Sequence, residues 1–403
     1  MHQKWEFKGR FRRHAFGWKS QPAIKRVKEA VSEIKKVARK DPTLAAEGAT
    51  VFLERLSPAI ENVDSSSGAI GNAVNKAIAV LVPIIAAAPA DAKARAAWLE
   101  RLYDAYQKDE IPYLEPLGDH WGELCASKEA ASRWAGELIG TCKMAWSPDP
   151  SLRGFFNGTT NCLSALLAAQ RYAEILELLD MAPYKMWHYR QYGVKALAAQ
   201  GKKAEAIRYA EQGRGLNDSP IAIARACEEV LLSSGLAEEA YERYGLEANR
   251  AGTYLTWFRA VAKKYPHKQP AEILTDLVER TPGDEGKWFA AAKHARLFDE
   301  AIALANRTPC DPKTLTRAAR DFAEEASSFA VEAGMAALYW LVQGYGYEIT
   351  GADVWAAYSN TLEAAKNAGR GDKIRGRIRA LVEQEAQSDR FVREVIGREL
   401  GLL

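Results

Sequence analysis

The sequence predicts an all-α protein built as a right-handed α-solenoid of stacked helical hairpins, and three observations carry that expectation. The first is a repeat. Leu197-Ala198-Ala199-Gln200-Gly201-Lys202-Lys203-Ala204-Glu205-Ala206-Ile207 returns 34 residues later as Leu231-Leu232-Ser233-Ser234-Gly235-Leu236-Ala237-Glu238-Glu239-Ala240-Tyr241. Each copy reads as the end of one helix, a glycine-closed turn and the start of a second helix. The second observation is apolar spacing of 3 and 4 residues, as in Ile24, Val27, Val31, Ile34 and Ala38, which makes one stripe on a helix. The third is a series of helix-start signals at Ser219-Pro220, Pro282-Gly283-Asp284 and Asp311-Pro312.

A 34-residue period is that of tetratricopeptide-type hairpins, so the stack is TPR/HEAT-like. One hairpin cannot shelter its own apolar side, and copies must stack to bury it. With 403 residues, 48% hydrophobic and 27% charged, the chain can bury a large core. The net charge of +3 hides an asymmetry: residues 1–40 carry 13 Lys and Arg against 3 Glu, leaving 42 basic and 49 acidic residues for the rest. A local positive field of that kind suits an acidic partner.

In order, residues 1–40 form a basic aromatic arm and a basic amphipathic helix. Trp5, Phe7 and Phe11 alternate with Lys4, Lys8, Arg10 and Arg12, followed by Arg13, Phe16 and Trp18. On an extended arm this alternation separates rings from charges. Single-stranded nucleic acid would use both, through stacking and phosphate pairing. Equally, the arm can pin its rings into the body and leave its charges in water. The helix after Pro22 keeps Lys25, Arg26, Lys28, Lys35, Lys36, Arg39 and Lys40 off its apolar stripe.

Residues 41–146 are expected to be a helical block. Asp41-Pro42 opens a helix carrying Val51, Phe52 and Leu56, which leads into Ala59-Ile60-Glu61-Asn62-Val63-Asp64-Ser65-Ser66-Ser67-Gly68. The Asp and Ser side chains suit a cap for a helix starting at Gly68. With the helices around it, residues 44–140, this acidic, glycine-ended turn resembles the helical region of bacterial SWIM zinc-finger proteins and relatives of unassigned function. The cysteine and histidine ligands of the finger are missing, so the resemblance implies an all-helical bacterial protein and does not imply zinc. Trp98, Leu99, Leu102 and Tyr106 mark one later helix and Trp134, Leu138 and Ile139 another. Trp146-Ser147-Pro148-Asp149-Pro150 is the expected boundary before the TPR-like hairpins of residues 160–310. Residues 311–403 form a carboxy-terminal helical cap, with a Thr350 to Asp353 capping box and a second basic cluster, Lys373, Arg375, Arg377 and Arg379.

Catalytic chemistry is not expected. His120 and Cys125 lie about a turn apart if helical, half of a metal site without further ligands at a usual spacing. Gly68-Ala69-Ile70-Gly71 and Gly344-Tyr345-Gly346 follow no strand and lack the phosphate-loop lysine. Cys125, Cys142, Cys162, Cys227 and Cys310 are odd in number and form no CxxC pair, which suits reduced residues of a cytoplasmic protein. The longest apolar run, residues 77–90, is broken by Pro83 and Pro89, so no membrane span is expected. The charged start lacks an apolar signal region, and Trp5 and Trp18 argue against a transit peptide.

The function expected is that of a cofactor-free adaptor or scaffold gripping a protein or peptide along a concave groove. First helices of successive hairpins would line it, with Trp187, Tyr189 and Arg190 in one, Tyr254, Trp257 and Arg259 in a second, and Lys287, Trp288 and Lys293 in a third. The alternative is a DNA- or RNA-binding protein using Lys8, Arg10, Arg12, Arg13, Lys25, Arg26, Lys28, Lys35 and Lys36.

Overall fold

The computed structural model describes residues 4–213, 218–385 and 390–403, so the first three residues of the arm and residues 386–389 of the carboxy-terminal segment lie outside it. Among the described residues there are helices and turns but no strand. The chain divides into two compact units, one ending at Ser234 and the other spanning Gly235–Leu403. The expected boundary at Trp146 to Pro150 falls inside the first. The helices on either side of it, Lys128–Ala145 and Thr159–Ala168, pack on one another, because Trp146 is buried with its ring 5.1 Å from Tyr189.

In the first unit the arm is not extended. Glu6–Arg10 is a short helical turn that buries Trp5, Phe7 and Phe11, with Phe7 and Phe11 meeting the Phe52 ring edge-on at 5.4 and 4.9 Å. Glu33 holds this turn by accepting the Glu6 and Phe7 amides at 2.8 and 3.3 Å. The Ser20–Ala38 helix buries Ala23, Ile24, Val27, Ala30 and Ile34 as one stripe. Asp41 caps Pro42–Ile60 by accepting the Leu44 amide at 2.9 Å. Next comes the serine turn, where Asp64 accepts the Ser66 amide at 2.9 Å and Gly68 takes φ 68°, a left-handed conformation that suits glycine.

The helix that follows, Ala69–Ala86, is longer than the 77–90 run suggested. With a mean hydropathy of 1.7 it is long and apolar enough to cross a membrane. Core packing accounts for that composition: Ile70, Val74, Ala77, Ile78, Leu81, Val82 and Ile85 are all buried. The carbonyls of Ile85 and Ala88 then accept the buried guanidinium of Arg95, which also reaches Leu124.

The repeated turn is a backbone device. Gln170, Gly201, Gly235, Arg296 and Gly369 all have φ between 61° and 78° at the end of a helix. Beyond four of them an amide reaches back five positions in Schellman fashion: Arg171 to Leu166, Lys202 to Leu197, Leu297 to Ala292 and Arg370 to Ala365. The phrase was recognisable where the left-handed residue is glycine and degenerate where Gln170 or Arg296 takes the same angle. Within the first unit, Thr159–Ala168 touches Trp187–Ala199, which touches Pro220–Leu232.

One close approach yields a prediction. A Cβ on Gly122 would strike the Ser164 carbonyl oxygen and lie 2.7 Å from Ala168 Cβ, while the Gly122 amide already donates to Ser164 Oγ at 3.0 Å. The obstacle is helix backbone and cannot rotate away. Gly122→Ala should therefore cost about 1–3 kcal/mol. Gly140→Ala, exposed in a helix with nothing within 4 Å, should instead gain about 0.5–1 kcal/mol. Urea denaturation of the two variants checks both signs.

In the second unit, Tyr241–Gly245 forms a π-helical turn where the repeat predicts continuous helix, burying Tyr241 and Tyr244. Tyr241 packs edge-on against Tyr265 at 5.1 Å, and farther along the chain Phe298 and Phe322 close on Phe329 at 4.5 and 5.4 Å. Thr350 and Asp353 form the expected capping box. Two members of the second basic cluster are neutralised, Arg377 by Glu332 at 2.7 Å and Arg379 by Glu383 at 3.1 Å.

Candidate functional site

The groove expected from aromatic residues on first helices does not survive. Trp257 and Trp288 are buried, the latter completely, and their indole nitrogens donate to the Leu246 carbonyl and Thr281 Oγ1, each at 2.8 Å. Tyr254 donates to Asp284 at 2.5 Å and packs edge-on against Trp288, and Lys287 pairs with Asp284 at 2.8 Å. Arg190 is buried over the Tyr209 ring, 4.1 Å from its centroid, and donates to the Tyr209 carbonyl. Trp187 and Tyr189 are half-buried, and Asp218 accepts the Trp187 amide. The physical reason is size: large rings on one side of a helix are the cheapest way to fill the space between hairpins.

His120 and Cys125 do not form a reactive pair either. The imidazole faces Glu123 at 3.1 Å, while burial pushes the Cys125 thiol up to about 12, away from the thiolate. All five cysteines are buried, and no group of three or more His, Cys, Asp or Glu able to hold a metal comes together among the described residues.

What the structure does assemble lies along the Ser20–Ala38 helix. The arm uses up this helix's acidic residues. Glu33 caps the arm's backbone, and Glu29 takes Arg26 at 2.6 Å and Arg10 at 3.1 Å. The Glu29 carboxyl is held below its usual range, first by the hydrogen bond from Arg26. On another side, this helix and Ala69–Ala86 bound a groove of about 410 Å³. Its floor is aliphatic, from Val27, Val31, Ala73, Ala77 and Val80. Lys28, Lys35, Lys36, Arg39 and Lys76 are its charged lining residues, all exposed, and no carboxylate is among the lining.

The basic residues singled out from sequence therefore separate. Lys28, Lys35 and Lys36 meet at the groove. Arg10 and Arg26 are spent on Glu29, and Arg13 lines a different cavity beside Glu61 and Glu110. Lys8, Arg12 and Lys25 are exposed away from the groove lining. Sequence reasoning missed Lys76 and the opposite wall. A signal was present, since Lys76 is the single charged residue in the 18 positions of its helix. Lys35 and Lys36 also complement the carboxy-terminal end of the helix dipole, but Lys28 and Lys76 lie too far from it for that role. No protein-family model and no curated protein sequence matches the chain.

Proposed function

We propose that this is a non-catalytic, cytoplasmic helical-repeat binding protein whose groove between Ser20–Ala38 and Ala69–Ala86 receives an acidic amphipathic helix from a protein partner. One observation carries the reading: five exposed cations around an aliphatic floor, with no acidic side chain among them. An amphipathic helix offers an apolar stripe for the floor and carboxylates for the rim. Nucleic acid fits less well, because no aromatic ring lines the groove, and of the arm's rings Trp5, Phe7 and Phe11 are buried while Trp18 is exposed away from the groove lining. The recurrence of one left-handed turn residue in five hairpins, and the adjacency of successive first helices in the first unit, support a right-handed solenoid behind this surface. The buried thiols of Cys125, Cys142, Cys162 and Cys310, none in a disulfide, support a reducing compartment.

Fluorescence polarisation with a labelled acidic amphipathic helical peptide tests it, using the full chain. The triple variant Lys28→Glu, Lys35→Glu, Lys76→Glu should weaken binding by about 100-fold or more, because like charges would then face one another across the rim. Val31→Ser with Val80→Ser should weaken it about tenfold, by removing apolar contact. Binding of the peptide that neither variant alters would end the proposal. Charge-dependent capture of a single-stranded oligonucleotide, with no peptide binding, would put nucleic acid in its place.

A further inference from the structure

A second cavity of about 640 Å³ lies in the first unit, away from the basic groove. One wall is the loop that leaves the Lys128–Ala145 helix. Asp149 accepts the Ser151 amide at 2.9 Å, and the Gly154 amide returns to the Ala145 carbonyl at 3.0 Å, closing the loop. This closure leaves Phe155 85% exposed at the rim. The facing wall brings Tyr184, 71% exposed, and Met186. Exposed apolar side chains gathered at a cavity mouth mark a binding site far more often than a stable free surface.

Inside, the lining is aromatic with one negative charge. Trp146 and Tyr189 stand at 66° with ring centres 5.1 Å apart, giving two walls of a box, and Tyr106 lines the interior with them. Two polar pairs are closed within the lining: Tyr106 donates to the Asn157 carbonyl at 2.9 Å, and His188 Nε2 meets Thr160 Oγ1 at 2.9 Å. Arg153, the one Lys or Arg of the lining, is turned back on the loop, where its guanidinium donates to the Ser147 and Pro148 carbonyls, both at 3.1 Å. Glu115, exposed at the edge, is the sole carboxylate of the lining, and its side chain makes no hydrogen bond or ion pair among the described residues. It lines the same cavity as Tyr106 and Tyr189, and after burial its charge is the next cause raising both hydroxyls.

We propose that this cavity binds a methylated ammonium group, held over the faces of Trp146, Tyr189 and Tyr184 and neutralised by Glu115. Ring faces attract a cation, and a weakly hydrated one loses least on leaving water. A primary ammonium is more strongly hydrated and carries three N–H donors to satisfy, so a lining made mostly of rings favours the methylated form. The volume exceeds that of the head group alone, so the rest of the ligand, a small alcohol or acid or the stem of a trimethylated lysine, would extend between Phe155 and Met186.

Isothermal calorimetry on the full chain tests this with choline and its neutral isostere 3,3-dimethylbutanol. Choline should bind saturably and at least about tenfold more tightly than the isostere, the margin expected of a cation–π site with one carboxylate. Glu115→Gln and the rim variant Tyr184→Ala should each weaken choline about tenfold while leaving the melting temperature unchanged. A trimethyl-lysine peptide that binds when its unmodified form does not, and more tightly than choline, would identify a modified protein as the source. Choline binding as tightly as that peptide would identify a free amine. Equal binding of choline and isostere, no saturable choline binding to folded protein, or choline affinity unaltered by Glu115→Gln would each overturn the proposal.

Discussion

Trp288→Ala should destabilise the protein by about 3–5 kcal/mol, the range for emptying a fully buried large aromatic site. The ring sits at the end of the Glu285–Trp288 3₁₀ turn with no exposed surface, bounded by Tyr254 at 4.8 Å and Trp257 at 5.6 Å. Its nitrogen donates to Thr281 Oγ1, whose own proton goes to the Leu277 carbonyl, so truncation removes a hydrogen bond as well as volume. Against a typical total of about 5–15 kcal/mol this is a large fraction. Denaturant unfolding reads the loss as a lowered midpoint, and Trp288→Phe, which keeps most of the bulk, should lose less. A groove residue would behave oppositely, losing a partner with the fold intact. An unchanged midpoint for Trp288→Ala would return this side chain to the surface.

Arg95→Ala should also destabilise the protein, by about 1–3 kcal/mol, for a different reason. The Arg95 guanidinium is buried and donates to Ala88 at 2.7 Å, Ile85 at 3.0 Å and Leu124 at 3.3 Å, carbonyls at the ends of the Ala69–Ala86 and Trp121–Cys125 helices. Burial lowers its pKa, the cost of holding a cation there, and the three acceptors offset that cost. Removing the side chain takes a donor from all three carbonyls, although those of Ile85 and Ala88 keep a backbone amide. Arg95→Lys keeps the charge but loses the planar fork, so it should recover less than half of the loss in the same assay. Full recovery by lysine would mean that charge alone, and not the three-way geometry, does the work.

The helical class was legible because it rests on local chemistry. Asp41, Ser219, Asp311 and Thr350 cap the helices that their positions announced, and the Ile24 to Ile34 stripe is buried. Left-handed turns were plainest with glycine, and the copies at Gln170 and Arg296 were legible only as degenerate versions of the phrase. Which side of a helix faces a neighbouring hairpin is a long-range matter. Trp257 and Trp288 carry the same signature whether they fill a core or line a groove, and here they fill a core. The basic groove was half legible. Lys28, Lys35 and Lys36 share one helix, but Lys76 comes from a helix 18 residues long whose partner no local pattern names. The aromatic cavity was read as a linker, because Ser147-Pro148-Asp149-Pro150 announces a turn and says nothing of Trp146 folding back to Tyr189.

The docking of the amino-terminal turn beneath Phe52 changes how the basic segment has to be probed. Trp5, Phe7 and Phe11 act as a latch on the Ser20–Ala38 helix, with Glu33 as its catch. Deleting the arm would unfasten that latch and bare apolar surface while also stripping away cations, so a lost interaction would have two causes. Swapping charges one by one along the outer side leaves the latch shut and keeps electrostatics apart from folding.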